Sequence, residues 1–258
     1  MGRGLIGAFF DFDRTLIDVE SPRLGIRYLW ERCLVTMGYI LKVMAANVFY
    51  QRHLISDETM ARILISFYRG KAFAPFEAGA LDYYREVLRP HLAPNIVSRV
   101  REHQASGHVL VLVSAGLRYL LKPVAEDLGF DHLICTDLET GTDGILTGNT
   151  RGPICTDGHK RDHAQRLADE LGMDLPASSA YGNHQADIPL LDLVGNAYAV
   201  EPTDELRKVA MERGWPILNS VSYTHLRAHE TVLDLVCRLL LEKKKKQHKR
   251  HLQIMYDH

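Results

Sequence analysis

The sequence predicts an α/β protein: a Rossmann-like parallel sheet with a small helical segment inserted after the first strand. Three observations predict it. Five apolar runs have strand length, amphipathic helical segments separate them, and residues 21–92 show helical periodicity with no β-rich run. Continuous apolar strands alternating with helices mean a parallel sheet covered on both faces.

The first strand is LIGAFFDFD (5–13), rich in aromatics and ending in acid. The helical insert follows: PRLGIRYLWERCLVTMGYILKVMAANVFYQRHL, then SDETMARILISFYRG, then APFEAGALDYYREVLRPHL. Ser56 with Thr59 and acids in the first turn predict a helix start. NIVSRVREHQASG leads into the second strand, VLVLVSA (109–115), and LLKPVAEDLG follows it. HLICTDLE (132–139) is the third strand. HKRDHAQRLADELG precedes the fourth, SSAYGN (178–183). NAYAVEP (196–202) is the fifth, followed by TDELRKVAMERG. The helical segments 95–107 and 160–172 both end in Gly, the residue favoured where a helix stops.

Composition narrows the class. The 258 residues are 46% hydrophobic, 24% charged and 8% aromatic, which excludes a collagen-like, disulfide-dense or wholly disordered chain. A net charge of -1 predicts no polyanion partner. Cys33, Cys135, Cys155 and Cys237 form no CxxC pair, so they read as reduced thiols in a cytoplasmic protein without a zinc site. The N-terminal apolar run is too short for an export signal. The longest apolar stretch, 28–50, is interrupted by Glu31, Arg32 and Lys42, so a packed helix is expected and not a membrane span.

Charge shifts near the C-terminus. Residues 220–258 carry eight Lys/Arg against four Asp/Glu, a net +4 against -5 for the rest. The run KKKKQHKRH is open to reading as a nucleic-acid arm or a solvated tail. SVSYTHLRAHETVLDLVCRLLLEKKK also resembles translated adapter read-through, so the tail is set aside as non-native-looking or disordered. The expected organisation is a core of 1–20 and 93–219, with 21–92 as the insert.

The chemistry gathers at strand ends. Asp11 and Asp13, spaced i, i+2, would share one side of an extended strand and repel unless a cation bridges them or one is protonated. Hard carboxylate oxygens suit Mg²⁺. Ser114-Ala115-Gly116 offers a hydroxyl and backbone N–H groups at a strand-to-helix turn. Lys160 opens a helix, where the dipole disfavours a cation, so an anion should compensate. Asn183 and Asp187 follow the fourth strand. Ligands in such sheets bind beyond the carboxyl ends of the strands, which gives all four motifs one address.

FFDFDRTL, VLVSA, Lys160 and AYGNHQAD in this order resemble the haloacid dehalogenase superfamily of phosphatases. The resemblance covers residues 5–218, and the detailed spacing is similar to the phosphoserine-phosphatase-like subfamily IB. It implies that the insert is the family's C1 cap. It also implies Asp11 as nucleophile, forming an aspartyl-phosphate, and Asp13 as general acid and base. Thr15, Ser114, Ala115 and Lys160 would hold the phosphoryl group. Mg²⁺ would bind Asp11, the Asp13 carbonyl and Asn183, with Asp187 as ligand or supporting partner. In phosphoserine phosphatases a Glu at the offset of Glu20 meets the substrate amine, and Arg62 is a candidate for its carboxylate. Arg14 departs from the family's small residue and is open to three readings, contact with the phosphoryl group, contact with an acidic substrate, or pairing with a cap carboxylate, the last slightly favoured; Asn183 stands where many members have Asp. The expected partner is a small phosphorylated metabolite, with no nucleic acid, no stable membrane insertion, and a monomer or homodimer. Phosphoryl transfer to an acceptor, a lipid-phosphate substrate and a non-catalytic phosphate-binding domain are the alternatives.

Overall fold

A central sheet organises the chain in the computed structural model, which describes residues 4–52 and 54–219. The strands are β1 (Gly7–Asp11), β2 (Val109–Leu117), β3 (His132–Thr136), β6 (Ser179–Gly182), β7 (Asn196–Val200) and β8 (Ile217–Leu218), and all pair in parallel in the order β3-β2-β1-β6-β7-β8. The separate strands β4 (Leu138–Thr140) and β5 (Leu146–Thr150) form an antiparallel pair. The main chain steps outward from β1 to β3 and then returns to lay β6 on the other side of β1. That reversal puts a crevice at the carboxyl ends of β1, β2 and β6.

The helices are α1 (Ser21–Glu31), α2 (Met37–Gln51), α3 (Asp57–Ile65), α4 (Ala74–Tyr83), α5 (Pro94–Ala105), α6 (Arg118–Leu128), α7 (Asp157–Leu171), α8 (Ile188–Leu191) and α9 (Asp204–Arg213). Every residue of β1 is buried, as its unbroken apolar run requires. On one face Phe9, Val111, Val113, Ala180 and Ala199 pack with Ala164 and Leu206. On the other, the rings of Phe10, Tyr181 and Tyr198 stack across three neighbouring strands, 4.5 and 4.8 Å between centroids, with His103 of α5 edge-on.

Contacts divide the described residues into two units, one holding residues 4–24 and 65–219, the other Gly25–Leu64. The second unit is helical. Thr36 Oγ1 accepts from the Tyr39 N–H at the start of α2, and Ser56 Oγ accepts from the Thr59 N–H before α3. These caps satisfy donors that a helix start leaves orphaned. Among the described residues no helix is long and apolar enough to cross a membrane.

Four expectations need correction. The first strand stops at Asp11, because the chain turns through Arg14, whose φ is 54°, and does not stay extended to Asp13. The single helical stretch from 22 breaks between α1 and α2, where Cys33 takes left-handed backbone (φ 57°). The third strand ends at Thr136, and residues 138–140 turn away to pair with β5. The second strand runs on to Leu117, although its register with β3 shifts across residues 114–116. The tail 220–258, with Cys237, lies outside the described residues.

Candidate active site

Three distant segments bring charge to the carboxyl edge of the sheet. Asp11 ends β1, Lys160 comes from the first turns of α7, and Asp187 follows β6; all three are buried. Lys160 Nζ donates to Asp11 Oδ1 at 2.6 Å and to Asp187 Oδ1 at 2.7 Å. The anion that a lysine near a helix N-terminus calls for is therefore present twice. Thr15 Oγ1 donates to the other Asp11 oxygen at 3.1 Å, since the tight turn after β1 brings the chain back over its end.

The loop after β6 is folded around Asp187. Its Oδ2 accepts the backbone N–H groups of Asn183 and His184, each at 3.0 Å. Gly182 permits this approach, for a Cβ there would lie 2.7 Å from the Asp187 Cβ. The Asn183 carbonyl accepts from the Thr203 N–H at 3.0 Å, which ties the loop to the start of α9. His184 Nδ1 accepts from the Ala186 N–H and so caps the short turn that carries Asp187.

Ser114 is buried beside this cluster in the strand order, since Asp11 pairs with Val113, the residue before it. Its Oγ accepts the Gly116 N–H at 3.0 Å. The turn is held from behind by buried Thr136, whose hydroxyl donates to the Ala115 carbonyl and accepts from the Cys155 N–H. The roles of Thr136, Thr203 and Gly182 escaped the sequence reading, although Gly182 lies inside AYGN and Thr203 caps the helix that TDELRKVAMERG predicts.

Electrostatics follow from burial. Burial and the Asp187 charge push the Asp11 carboxyl above the usual carboxylate range, while Lys160 pulls it back. Asp13, past the strand end, accepts the Ser21 N–H and is pushed up to about 6, mainly by burial. Burial alone would discharge Lys160, but Asp11 and Asp187 outweigh it and hold its pKa above the ordinary lysine value. Asp11 and Asp187 share the single Lys160 ammonium, so two carboxylates at the strand ends carry more negative charge than it neutralises, a setting that suits a hard cation. Among the described residues no three His, Cys, Asp or Glu side chains already stand grouped as a metal site. Mg²⁺ does not require such a cage, because one or two carboxylates, waters and a substrate phosphate complete its shell.

Arg14 takes left-handed backbone (φ 54°) at the turn after β1, a conformation that costs a residue carrying a Cβ. Glu20 pairs with Arg23 at 3.5 Å. Arg62 binds Glu58, one turn away on α3, through Nη2 at 2.6 Å.

A parallel sheet with buried Asp, Lys and Asp at its switch point places a candidate active site of an α/β protein, and comparison with known proteins names the family. Residues 8–192 match the haloacid dehalogenase-like hydrolase model. A histidinol-phosphatase from Neisseria meningitidis is 31% identical over 82% of this chain and 97% of its own length. The phosphoserine phosphatase SerB1 of Mycobacterium tuberculosis is 30% identical over 81% and 69%. A Bordetella pertussis protein of unknown function superposes with a TM-score of 0.76, at 26% identity over 84% of this chain and all of that one. A phospho-aspartyl intermediate analogue of phosphoserine phosphatase shares the fold, with a TM-score of 0.63 at 19% identity over 85% and 95%. The chain belongs to the haloacid dehalogenase-like hydrolase family and is an enzyme of its phosphatase kind.

Proposed function

We propose that the protein hydrolyses a small-molecule phosphate monoester in two steps through Asp11. The observation that carries this reading is Lys160 bridging Asp11 and Asp187, three buried groups converging from far-apart segments. A carboxylate repels a phosphoryl group, and a fixed ammonium at 2.6 Å offsets that repulsion.

Asp11 attacks phosphorus, and the bond to the leaving oxygen breaks as that oxygen takes a proton from Asp13. A pKa of about 6 suits Asp13 to this exchange, since it holds and returns a proton near neutrality. Water then attacks the aspartyl-phosphate, gives its proton to Asp13, and releases inorganic phosphate and free Asp11. Thr15, the Ser114 hydroxyl and the Ala115 N–H hydrogen-bond the phosphoryl oxygens. Asp11, the Asp13 carbonyl and Asn183, supported by Asp187, would hold Mg²⁺, whose bound charge would neutralise phosphoryl oxygens. The helical residues 21–92 act as the cap that chooses the leaving group, and relatives named histidinol-phosphatase and phosphoserine phosphatase support a small metabolite as substrate.

The test is hydrolysis of p-nitrophenyl phosphate with Mg²⁺. Asp11→Asn should abolish turnover and leave the circular-dichroism spectrum intact, and acid-quenched wild-type protein should carry phosphate on the Asp11 peptide. Full activity in Asp11→Asn removes the nucleophile assignment. Chelation by EDTA should silence the enzyme and Mg²⁺ restore it; indifference to EDTA excludes the metal.

A further inference from the structure

Beside Asp13 stands a charge pair that the catalytic steps do not use. The Ser21 N–H donates to Asp13, and the preceding residue, Glu20, is close enough for its charge to act on that carboxyl. A lone carboxylate here would attract an ammonium-bearing ester. Glu20 is not alone. The Arg23 N–H donates to the Glu20 carbonyl at 3.1 Å, and Arg23 Nε lies 3.5 Å from Glu20 Oε2.

The Arg23 guanidinium is held by charge and not by a directed bond. Its Nε is buried with no hydrogen-bond partner among the described residues, yet the side chain keeps 23% of its surface exposed. A guanidinium offers five N–H donors in a fixed plane, and leaving them unmatched is costly. A ligand oxygen arriving at the exposed edge would supply the acceptor that the protein does not.

We propose that Arg23 determines specificity: it cancels the Glu20 charge and offers its terminal N–H groups to an oxygen on the leaving group. The favoured monoesters then carry a carboxylate or hydroxyl near the phosphorylated carbon, and esters with an ammonium there are disfavoured. This rests on the phosphatase reading and narrows its substrate class.

Phosphoglycolate and O-phosphoethanolamine share a two-carbon skeleton and differ in the terminal group, so the ratio of their kcat/KM values reads the discrimination directly. Wild-type protein should favour phosphoglycolate by about tenfold or more, the worth of one well-placed charge. Arg23→Gln should lower that ratio about tenfold, through KM more than kcat, while Arg23→Lys, which keeps the charge, should stay within about threefold of wild type. A ratio unmoved by Arg23→Gln, or a wild-type preference for phosphoethanolamine, overturns the inference while p-nitrophenyl phosphate is still hydrolysed. If wild-type protein with Mg²⁺ does not hydrolyse p-nitrophenyl phosphate, the phosphatase reading falls and this one with it.

Discussion

The Lys160 ion pairs at the sheet edge and the pairs Arg27–Glu31 and Arg62–Glu58 of the helical unit Gly25–Leu64 are built on opposite principles. At the sheet edge Lys160 meets Asp11 from 149 residues away and Asp187 from 27, and all three side chains are nearly dry. Within the helical unit Arg27 meets Glu31 and Arg62 meets Glu58 one turn along the same helix, with side chains about half exposed. The first kind exists only if the whole sheet is assembled. The second needs a single helical turn. Desolvated charges must be matched or the fold suffers, whereas exposed pairs exchange protein for water at little gain. Charge that is expensive to bury and positioned by long-range topology is where chemistry is to be sought; charge paired along one helix is a solvated face.

The comparison breaks most readily at Lys160. Lys160→Met should leave two buried carboxylates facing each other and cost about 3–5 kcal/mol, the usual penalty for removing one partner of a buried pair. Urea unfolding at pH 7 measures it, and a loss below about 1 kcal/mol would mean that the cluster is wetter than its burial indicates. Turnover of p-nitrophenyl phosphate should fall by about two to three orders of magnitude, as expected for loss of a positioned charge.

Gly182→Ala tests the same cluster without touching a charge. The added methyl would lie 2.7 Å from the Asp187 Cβ, so the loop must move. A stability loss of about 1–3 kcal/mol is expected, together with a fall in activity, because the Asn183 and His184 N–H groups are aimed from that loop. Wild-type stability and rate together would show that the loop yields freely.

His103 lies between the two extremes, half-buried, with Nε2 bonded to the Tyr181 hydroxyl at 2.9 Å and Nδ1 to His108 at 2.7 Å. Burial first, then the neighbouring His108, lowers its pKa to about 4. Between the ordinary histidine value near 6.5 and about 4, the unfolded chain therefore binds a proton that the folded protein refuses. Stability should fall as pH drops through that window, by about 1–2 kcal/mol once solvent screening is allowed for. His103→Gln should flatten the profile, and an equally steep profile in the variant would assign the slope to other groups.

What could be read from the sequence divides along the same line as the charges. Strand ends were legible because apolar runs of strand length stop at acids and small residues, and this placed Asp11, Ser114, Asn183 and Asp187 on one edge. Lys160 was legible because a lysine near a helix N-terminus demands an anion, although which anion was not. The β4–β5 pair was missed because HLICTDLE reads as one run, even though GTDG after it is a turn signal. Thr136 carries no local pattern, and Thr203 shows only as the cap that opens TDELRKVAMERG; their roles at the site arise when segments far apart in sequence meet. The left-handed turn at Cys33 is likewise silent, since nothing in its neighbours demands a positive φ. The Glu20–Arg23 pair was within reach, because a spacing of three at a helix start puts the two side chains side by side.

The smallest effect sharpens the comparison from the other side. Arg62 and Glu58 are joined by two hydrogen bonds, at 3.1 and 2.6 Å, which on distance alone rival those of Lys160. Exposure decides otherwise: both side chains keep more than half of their surface in water. A double-mutant cycle with Arg62→Ala and Glu58→Ala should yield a coupling of about 0.3–0.5 kcal/mol, shrinking in high salt. A coupling above about 1.5 kcal/mol would mean that the pair is shielded from solvent in the folded protein, and the division between dry long-range pairs and wet local ones would lose its basis.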